Sequence, residues 1–449
     1  MFQRGKAIVI GGGIAGKLTA RVLSEFFQEV VILESDKELK GPMSRKGAPQ
    51  GKHLHALLHA GEYGLESLYP GITNKMLSSG AIKIDSTKDL AWFHHGVWKL
   101  RYGGEYTSIL QTRPHLEWHI EQCTKEIPNV SFRYNQIVAN YLINKEGHQI
   151  YGVEVKDSDS KIEAISADLI IDASGVSSFS SRWLGQNGYI IPEEKVHIGL
   201  TYVSKLYNLP ENKRRDWYIK LIYPNPSQEK IGGTISRIEG NSYICTLIGY
   251  QNEIQETEIA AENGFLKLSQ KLPALDIYNE LKEGVALSEE SIYKVPHIAW
   301  KRLDKVKNLP NGLLLIGDAV CRIDPVFGQG MSIAVLQVLA LQKQFQMGKD
   351  TSLPKIITSS QKKFAQIIYP VWNMVISEDY RFPDMKGQKP LGLSIKQWFV
   401  KKIYLLSSHD QRVYSSFIKV MNLVQPATIL FHPSVILKVI KQAIFKKGN

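Results

Sequence analysis

The sequence predicts an α/β protein in which a Rossmann-type domain is interleaved with a β-sheet domain and followed by a helical C-terminal region. Three observations predict it. A short apolar strand, a glycine-rich turn and a helical pattern open the chain between Ala7 and Phe26. Residues 196–250 are dense in β signals. Residues 355–449 carry helical patterns punctuated by prolines.

Each element follows from local pattern. Ala7-Ile-Val-Ile10 reads as a buried strand. From Ala15, apolar residues at Leu18, Val22 and Phe26 recur at helical spacing. Val30-Val-Ile-Leu33 is the second strand and ends at Glu34. Residues 41–70 start as a polar, Gly/Pro-containing loop and turn helical from about His53. Residues 76–104 place Trp92, Phe93, Trp98 and Tyr102 on short strand-like pieces. Pro114 to Glu126 reads as a helix with its proline near the first position. Val130 to Val138 reads as one strand, and Tyr151–Val155 and Asp168–Ile171 as two more. Ile231–Ile235 and Tyr243–Ile248 flank a Glu239-Gly240-Asn241 turn, a hairpin pattern. Leu313-Leu-Leu-Ile316 is another buried strand, with a long helix from about Met331. The last region is expected to break at Pro370, Pro390, Pro426 and Pro433.

Composition narrows the class. The 449 residues are 43% hydrophobic and 22% charged, enough for two interleaved domains and a sizeable ligand. Cys123, Cys245 and Cys321 are scattered and form no C-x-x-C, which argues against a disulfide framework and a zinc cluster. A reducing cytoplasm is the expected setting. Ala7–Ile10 is too short for a signal-peptide core, and no window approaches the ~18 consecutive apolar residues of a membrane span.

The net charge is +12, and residues 386–449 hold eleven Lys/Arg against one acid, Asp410. No nucleic-acid reader motif accompanies this charge, and it is mixed with aliphatic runs, so nucleic acid is not an expected partner. Two readings remain. The region is a helical cover with a solvated lysine face, or an amphipathic anchor through Trp398–Leu406 and Ile436–Lys447 that touches a membrane peripherally. The cover is the favoured reading, because a charge run is usually a solvated face.

Gly11-Gly12-Gly13-Ile14-Ala15-Gly16 contains G-x-G-x-x-G in its required context: strand before, helix after, and Glu34 placed 18 residues beyond the last glycine. Gly11 permits the tight turn, Gly13 lets a pyrophosphate approach the backbone, and Gly16 lets helix and strand pack closely. The helix N-terminus offers free N–H groups and a positive dipole. Glu34 can accept ribose hydroxyls and would repel a 2′-phosphate, which favours FAD or NAD over NADP. The fingerprint does not separate FAD from NAD. A second segment does. Leu313–Ile316 runs into Gly317-Asp318, then Pro325-Val-Phe-Gly328-Gln-Gly330-Met331 opens another helix. Gly317-Asp318 sets a carboxylate at the carboxyl end of the sheet, where ligands bind. The helix aims its positive end at something anionic, which suits a reduced flavin better than a nicotinamide.

These segments, with Arg113, resemble the class A flavoprotein monooxygenases, which share the para-hydroxybenzoate hydroxylase fold. Arg45-Lys-Gly-Ala-Pro49-Gln50-Gly-Lys-His53-Leu-His55, Thr112-Arg113-Pro114-x-Leu116-Glu117-Trp118 and Gly317-Asp-Ala-Val-Cys321…Asp324-Pro-Val-Phe-Gly-Gln-Gly-Met331 look like the bacterial branch of polyether and squalene-type epoxidases. The resemblance spans most of residues 1–350. It implies an FAD-binding domain over 1–75, 105–185 and 295–350, a substrate domain over 76–104 and 186–294, and a C-terminal region over 351–449. It implies that Gly11, Gly13, Ile14, Ala15 and Gly16 hold the pyrophosphate and Glu34 the adenosine ribose. Arg113 would reach the phosphate or ribityl chain, and Val138 would contact adenine through its backbone. Asp318 would bind the ribityl side, with Pro325, Gly328, Gly330 and Met331 against the ring. Arg45 and Gln50 would lie on the loop near the cofactor.

One departure stands out. Where the family carries Asp-Gly in a mid-chain motif that helps bind FAD and NAD(P)H, this chain has Asp172-Ala-Ser174-Gly175. The missing charge points away from direct reduction by NADH or NADPH and toward a separate flavin reductase. The implied chemistry is transfer of one oxygen atom from a flavin C4a-hydroperoxide to an apolar substrate, by epoxidation or hydroxylation of a polyene, polyketide or terpenoid. No acid–base pair is evident in the sequence, and alkene epoxidation needs none. His53-x-His55 lacks a third ligand at metal-binding spacing, so packing or a flavin-loop hydrogen bond is expected of it. Cys321 is expected to be a buried structural thiol. The aromatics of 92–102 are either sheet core or the lining of an apolar pocket. The alternatives are a flavin-dependent halogenase, whose W-x-W-x-I-P segment is absent here, an isoprenoid reductase or saturase, and a non-catalytic FAD-binding protein.

Overall fold

The structure is a computed structural model, and it describes residues 4–348 and 351–445. Its first sheet is five-stranded and wholly parallel. β1 (Arg4–Ile10) lies at the centre, with β2 (Phe27–Leu33) and Val130–Arg133 on one side and Leu169–Asp172 and Leu313–Leu315 on the other. Ala7, Ile8 and Val9 are fully buried, as a central parallel strand covered on both faces requires. The chain crosses from one side of β1 to the other, and the loop after β1 opens at that switch point. Helix α1 (Ile14–Leu23) follows the loop and buries Leu18, Ala20, Val22 and Leu23.

A ten-stranded sheet forms the second layer. Its long strands are Glu193–Asn208 and Ser291–Lys301, which pair antiparallel with a register shift after His197. Ile231–Arg237 and Tyr243–Gly249 form the expected hairpin. Leu90–His94 joins this sheet in parallel to Ile219–Ile222, a pairing between segments about 130 residues apart. A three-stranded sheet, Ile137–Ile143 with Ile150–Lys156 and Ile162–Ser166, flanks the parallel one.

The helices from 353 to 445 cap the ten-stranded sheet. Trp92 packs into one apolar cluster with Ile403, Tyr404, Tyr414 and Phe417 from these helices. It stacks on Phe417 at 5.6 Å, so this aromatic belongs to the core between sheet and cap.

Three sequence expectations change. Val130–Val138 is two strands in two sheets, because the chain turns at Tyr134–Gln136 with Asn135 at φ 55°. The helix expected from His53 begins at His59, and only a short turn, Pro49–Lys52, precedes it. Pro370 does not break its helix. Leu353–Asp379 runs through it, with Pro370 on the exposed side, while Pro426 and Pro433 sit at element ends.

Candidate functional site

The loop after β1 is built by glycine geometry. Gly11 has φ +97°, donates to Leu33 O at 2.8 Å, and would drive a Cβ to 2.8 Å from Ala173 O. Gly16 is tighter, since its Cβ would fall 1.9 Å from Gly11 O. Helix α1 therefore rests directly on the loop. No side chain caps its N-terminus, so the first N–H groups near Gly13, Ile14 and Ala15 remain available to an anion.

Around this loop lies a buried ion network. Glu34 Oε2 accepts from Gly12 N at 2.8 Å and Arg45 Nη1 at 2.9 Å, and Oε1 accepts from Asp36 N at 2.9 Å and Ser35 Oγ at 3.2 Å. Both oxygens are thus fully engaged. Arg45 also reaches Glu117 Oε2 at 3.1 Å and Asp36 at 3.3 Å, and its Nη2 would sit 3.3 Å from a Cβ on Gly13. Arg113 opens the helix Arg113–Lys125, capped by Thr112, and donates to Glu117 Oε1 at 2.7 Å. Burial alone would raise the Glu117 carboxyl; Arg113, Arg45 and Lys17 instead hold it well below the usual carboxylate range.

Gly317-Asp318 meets the same end of the sheet. A Cβ on Gly317 would come within 3.1 Å of Ala15 Cβ, and Gly317 N donates to Gln337 Oε1 at 2.9 Å. Asp318 is exposed although densely surrounded by protein, and its carboxylate has no hydrogen bond among the described residues. That surrounding mass raises its pKa, while Arg322 and Arg113 pull it down.

The Pro325–Phe327 turn ends at Gly328, and the helix Gly330–Met347 starts next without a side-chain cap. A Cβ on Gly330 would meet nothing within 4 Å, and Met331 is half-buried. The ten-stranded sheet pins this turn: Tyr223 Oη donates to Val326 O at 2.7 Å and Tyr250 Oη to Asp324 Oδ2 at 2.7 Å. Asp379 of the cap lies against Asp324. Burial and that neighbouring charge push the Asp379 carboxyl well above its ordinary range.

The other expected positions are less committed. Gln50 is half-buried in the Pro49–Lys52 turn and its side chain makes no hydrogen bond among the described residues. Val138 is buried on its strand opposite Val155, beside a register shift, while nearby Gln136 N donates to Glu34 O at 2.9 Å. His53 Nδ1 meets Ser204 Oγ at 2.8 Å, and Ser204 meets Thr246 at 2.6 Å, tying the 49–55 loop to the large sheet. Burial lowers the His53 pKa to about 4, so it stays neutral. Asp172 takes hydrogen bonds from Ser174 N, Ser174 Oγ, Ser178 Oγ and Ser180 N, so the Ser174 hydroxyl is spent locally. Cys321 is a buried thiol with its pKa pushed up by burial.

Sequence reading missed Glu117, Asp379 and the tyrosine pins. Arg113-x-x-x-Glu117 at i,i+4 was the available signal for the first. It also missed a buried cluster of His94, His95 and Glu378 whose ligand atoms lie within 4.8 Å of one another. Arg381 already holds Glu378 at 2.7 Å and Lys99 lies against the His94 carbonyl, so two cations oppose a metal there.

The chain has the para-hydroxybenzoate hydroxylase-like fold of the FAD-dependent monooxygenases. No family model matches it. It is 27% identical over 432 residues to Protein Rv3254 of Mycobacterium tuberculosis (strain ATCC 25618 / H37Rv), covering 90% of each chain. It is 22% identical over 374 residues to squalene monooxygenase 1,1 of Brassica napus, covering 81% of this chain and 67% of that one. The solved structure of the flavin-dependent brominase Bmp2 superposes with a TM-score of 0.69 at 13% identity, covering 98% of this chain and 99% of that one. No helix among the described residues is long and apolar enough to cross a membrane.

Proposed function

We propose that the chain is an FAD-dependent monooxygenase that adds one oxygen atom from O2 to an apolar substrate by epoxidation or hydroxylation. The carrying observation is the meeting of two helix starts without side-chain caps, at Ile14 and Gly330, with Asp318 and the Arg45–Glu117–Arg113 network at one end of the parallel sheet. That end suits FAD: a glycine cradle and two arginines for the pyrophosphate, Glu34 for the adenosine ribose, and an unpartnered Asp318 for the ribityl hydroxyls. Bound and reduced, FAD would supply the activation of O2.

The remaining work falls to the chain. Arg45 and Arg113 would hold the pyrophosphate, and Glu34, which here accepts from Arg45, would accept a ribose hydroxyl. Glu117 keeps Arg45 and Arg113 oriented throughout. Tyr223 and Tyr250 hold the Pro325–Phe327 turn in place. The sheet and cap exclude water from the reacting atoms. No described residue is positioned as an obvious base, which suits an alkene better than a phenol. The locally spent Ser174 supports reduction by a separate flavin reductase rather than by NADH or NADPH bound here.

The test is direct. Purified protein should carry FAD or take it up stoichiometrically, with a flavin absorbance spectrum. Reduced protein mixed with O2 and a set of polyenes should give products heavier by one oxygen. Products heavier by two hydrogens would instead make it a saturase. The likeness to Bmp2 favours one second reading, a halogenase, which would require bromide or chloride for turnover.

A further inference from the structure

We propose that the exposed faces of the helices Leu393–Leu406 and Pro433–Phe445 dock the protein on an anionic bilayer surface. Ile395 and Trp398 follow helical spacing, as do Leu437, Ile440 and Ile444, Leu391 precedes the first helix, and these six are between 46% and 94% exposed. Other faces of the same helices are buried: Ile403 and Tyr404 on one, Val435 and Val439 on the other, all in the cluster that holds Trp92. Each helix is therefore apolar on two sides, and only one side has a partner. Cover and anchor, which the sequence presented as alternatives, are two faces of one element.

The patch is a concentration, not scatter. Among the described residues, eight of the 22 exposed large hydrophobics lie between residues 391 and 444, about an eighth of the chain. Phe399 of the first helix stacks at 5.0 Å on Phe431, in the short turn Ala427–Phe431 that leads into the second.

Charge selects the occupant. Lys396, Lys401, Lys402 and Lys441 border the apolar rows and make no ion pair among the described residues, whereas the region's acid, Asp410, is already held by Lys438 at 2.5 Å. A second copy of this face would set lysines against lysines. An anionic lipid surface neutralises them, accepts leucine and isoleucine below its headgroups, and suits tryptophan at the interface. Neither helix is long and apolar enough to span a membrane, so the two would lie along the surface.

The experiment is flotation of the purified full chain with phosphatidylcholine vesicles, with or without phosphatidylglycerol. Binding should be about tenfold greater on the anionic vesicles at low salt and fall at high salt. Ile395→Ser with Leu437→Ser, and separately Lys401→Glu with Lys402→Glu, should each lower binding about tenfold. Both pairs should melt and bind FAD like the parent, because the altered side chains are solvent-facing. No flotation at low salt, equal binding to both vesicle types, or variants that float like the parent would overturn the proposal. So would a concentration-dependent dimer in sedimentation velocity that the Ile395→Ser, Leu437→Ser pair abolishes, which would assign the face to a second copy. The readout needs no turnover, so it stands apart from the proposed reaction.

Discussion

At the nucleotide end, the buried side chains of Lys17, Arg45 and Arg113 each meet a carboxylate, with Glu121, Glu34 and Glu117 as the partners. Between the sheet and the C-terminal cap, buried polar groups are left with less. Lys99 donates only to the carbonyls of His94 and Tyr404, at 3.3 and 2.7 Å, and His94 Nδ1 and both His95 ring nitrogens have no hydrogen bond. In the first region each cation is matched by a carboxylate. In the second, apolar packing surrounds polar groups with few partners, and burial opposes charge on Lys99 and His94 while Glu378 stays ionised against Arg381. A site for an anionic cofactor needs fixed charges. A cap over an apolar space needs few.

The largest effect is expected where backbone meets backbone. Gly16→Ala must displace either α1 or the Gly11 turn, since neither atom in the clash belongs to a flexible side chain. FAD affinity should fall by roughly 100-fold or more, read as loss of flavin absorbance after desalting. Unchanged loading would show that the cradle is softer than the comparison requires.

Next comes Glu117→Gln. It leaves two buried arginines sharing one fewer anion, at a cost of about 3–5 kcal/mol if the charge cannot relax. The measurement is denaturant unfolding without FAD, where the loss should be largest, and again with FAD. Added cofactor should restore part of the loss, because its phosphates bring the missing negative charge back to Arg45 and Arg113. A loss that FAD does not reduce would mean that Glu117 is structural and does not orient the arginines toward phosphate.

The same contrast explains what the sequence made legible. The β1–α1–β2 unit was readable because its determinants are local: apolar runs, three glycines and an acid within about 30 residues. Gly317-Asp318 and the Gly330 helix start were readable for the same reason. Arg45, Arg113 and Glu34 could be named, but not the carboxylate that joins them, because Glu117 meets Arg45 across 72 residues of chain. Asp379 likewise meets Asp324 across 55 residues. Val130–Val138 failed because alternation continues across a turn, and only tertiary pairing shows that its halves serve different sheets. The cap was legible as helix and basic charge; that Trp92 would be its core partner was not.

Pro370 tests the cap more gently. It lies inside the helix Leu353–Asp379 on the exposed side, where it removes one N–H donor and crowds the preceding turn. Packing of Ile368, Val371, Trp372 and Val375 against the core keeps the helix intact despite this cost. Pro370→Ala should therefore raise stability, by about 1–3 kcal/mol, seen as a higher melting temperature with FAD loading unchanged. A lower melting temperature would mean that the proline shapes the helix rather than being tolerated in it.

The last contrast is one of slope against pH, and it separates the two regions most sharply. Burial lowers the Lys99 ammonium from its ordinary value near 10.5 to about 7, with Glu378 opposing the shift. A base with a depressed native pKa binds fewer protons folded than unfolded. Its contribution is complete above pH 10.5 and is lost as the pH falls toward about 7. The slope is at most ~1.4 kcal/mol per pH unit. Lys99→Met removes this titration and leaves Glu378, Arg381, His94 and His95 around the site. Melting temperature plotted against pH should be flatter for the variant than for the parent across that window, with the curves drawing together or crossing as the pH drops. The nucleotide-end pairs should contribute no such slope, because Glu117 is held ionised far below this window by Arg113 and Arg45. Parallel curves for parent and variant would show that Lys99 keeps its proton, and the contrast between a saturated and an unsaturated charge environment would then lose its clearest example.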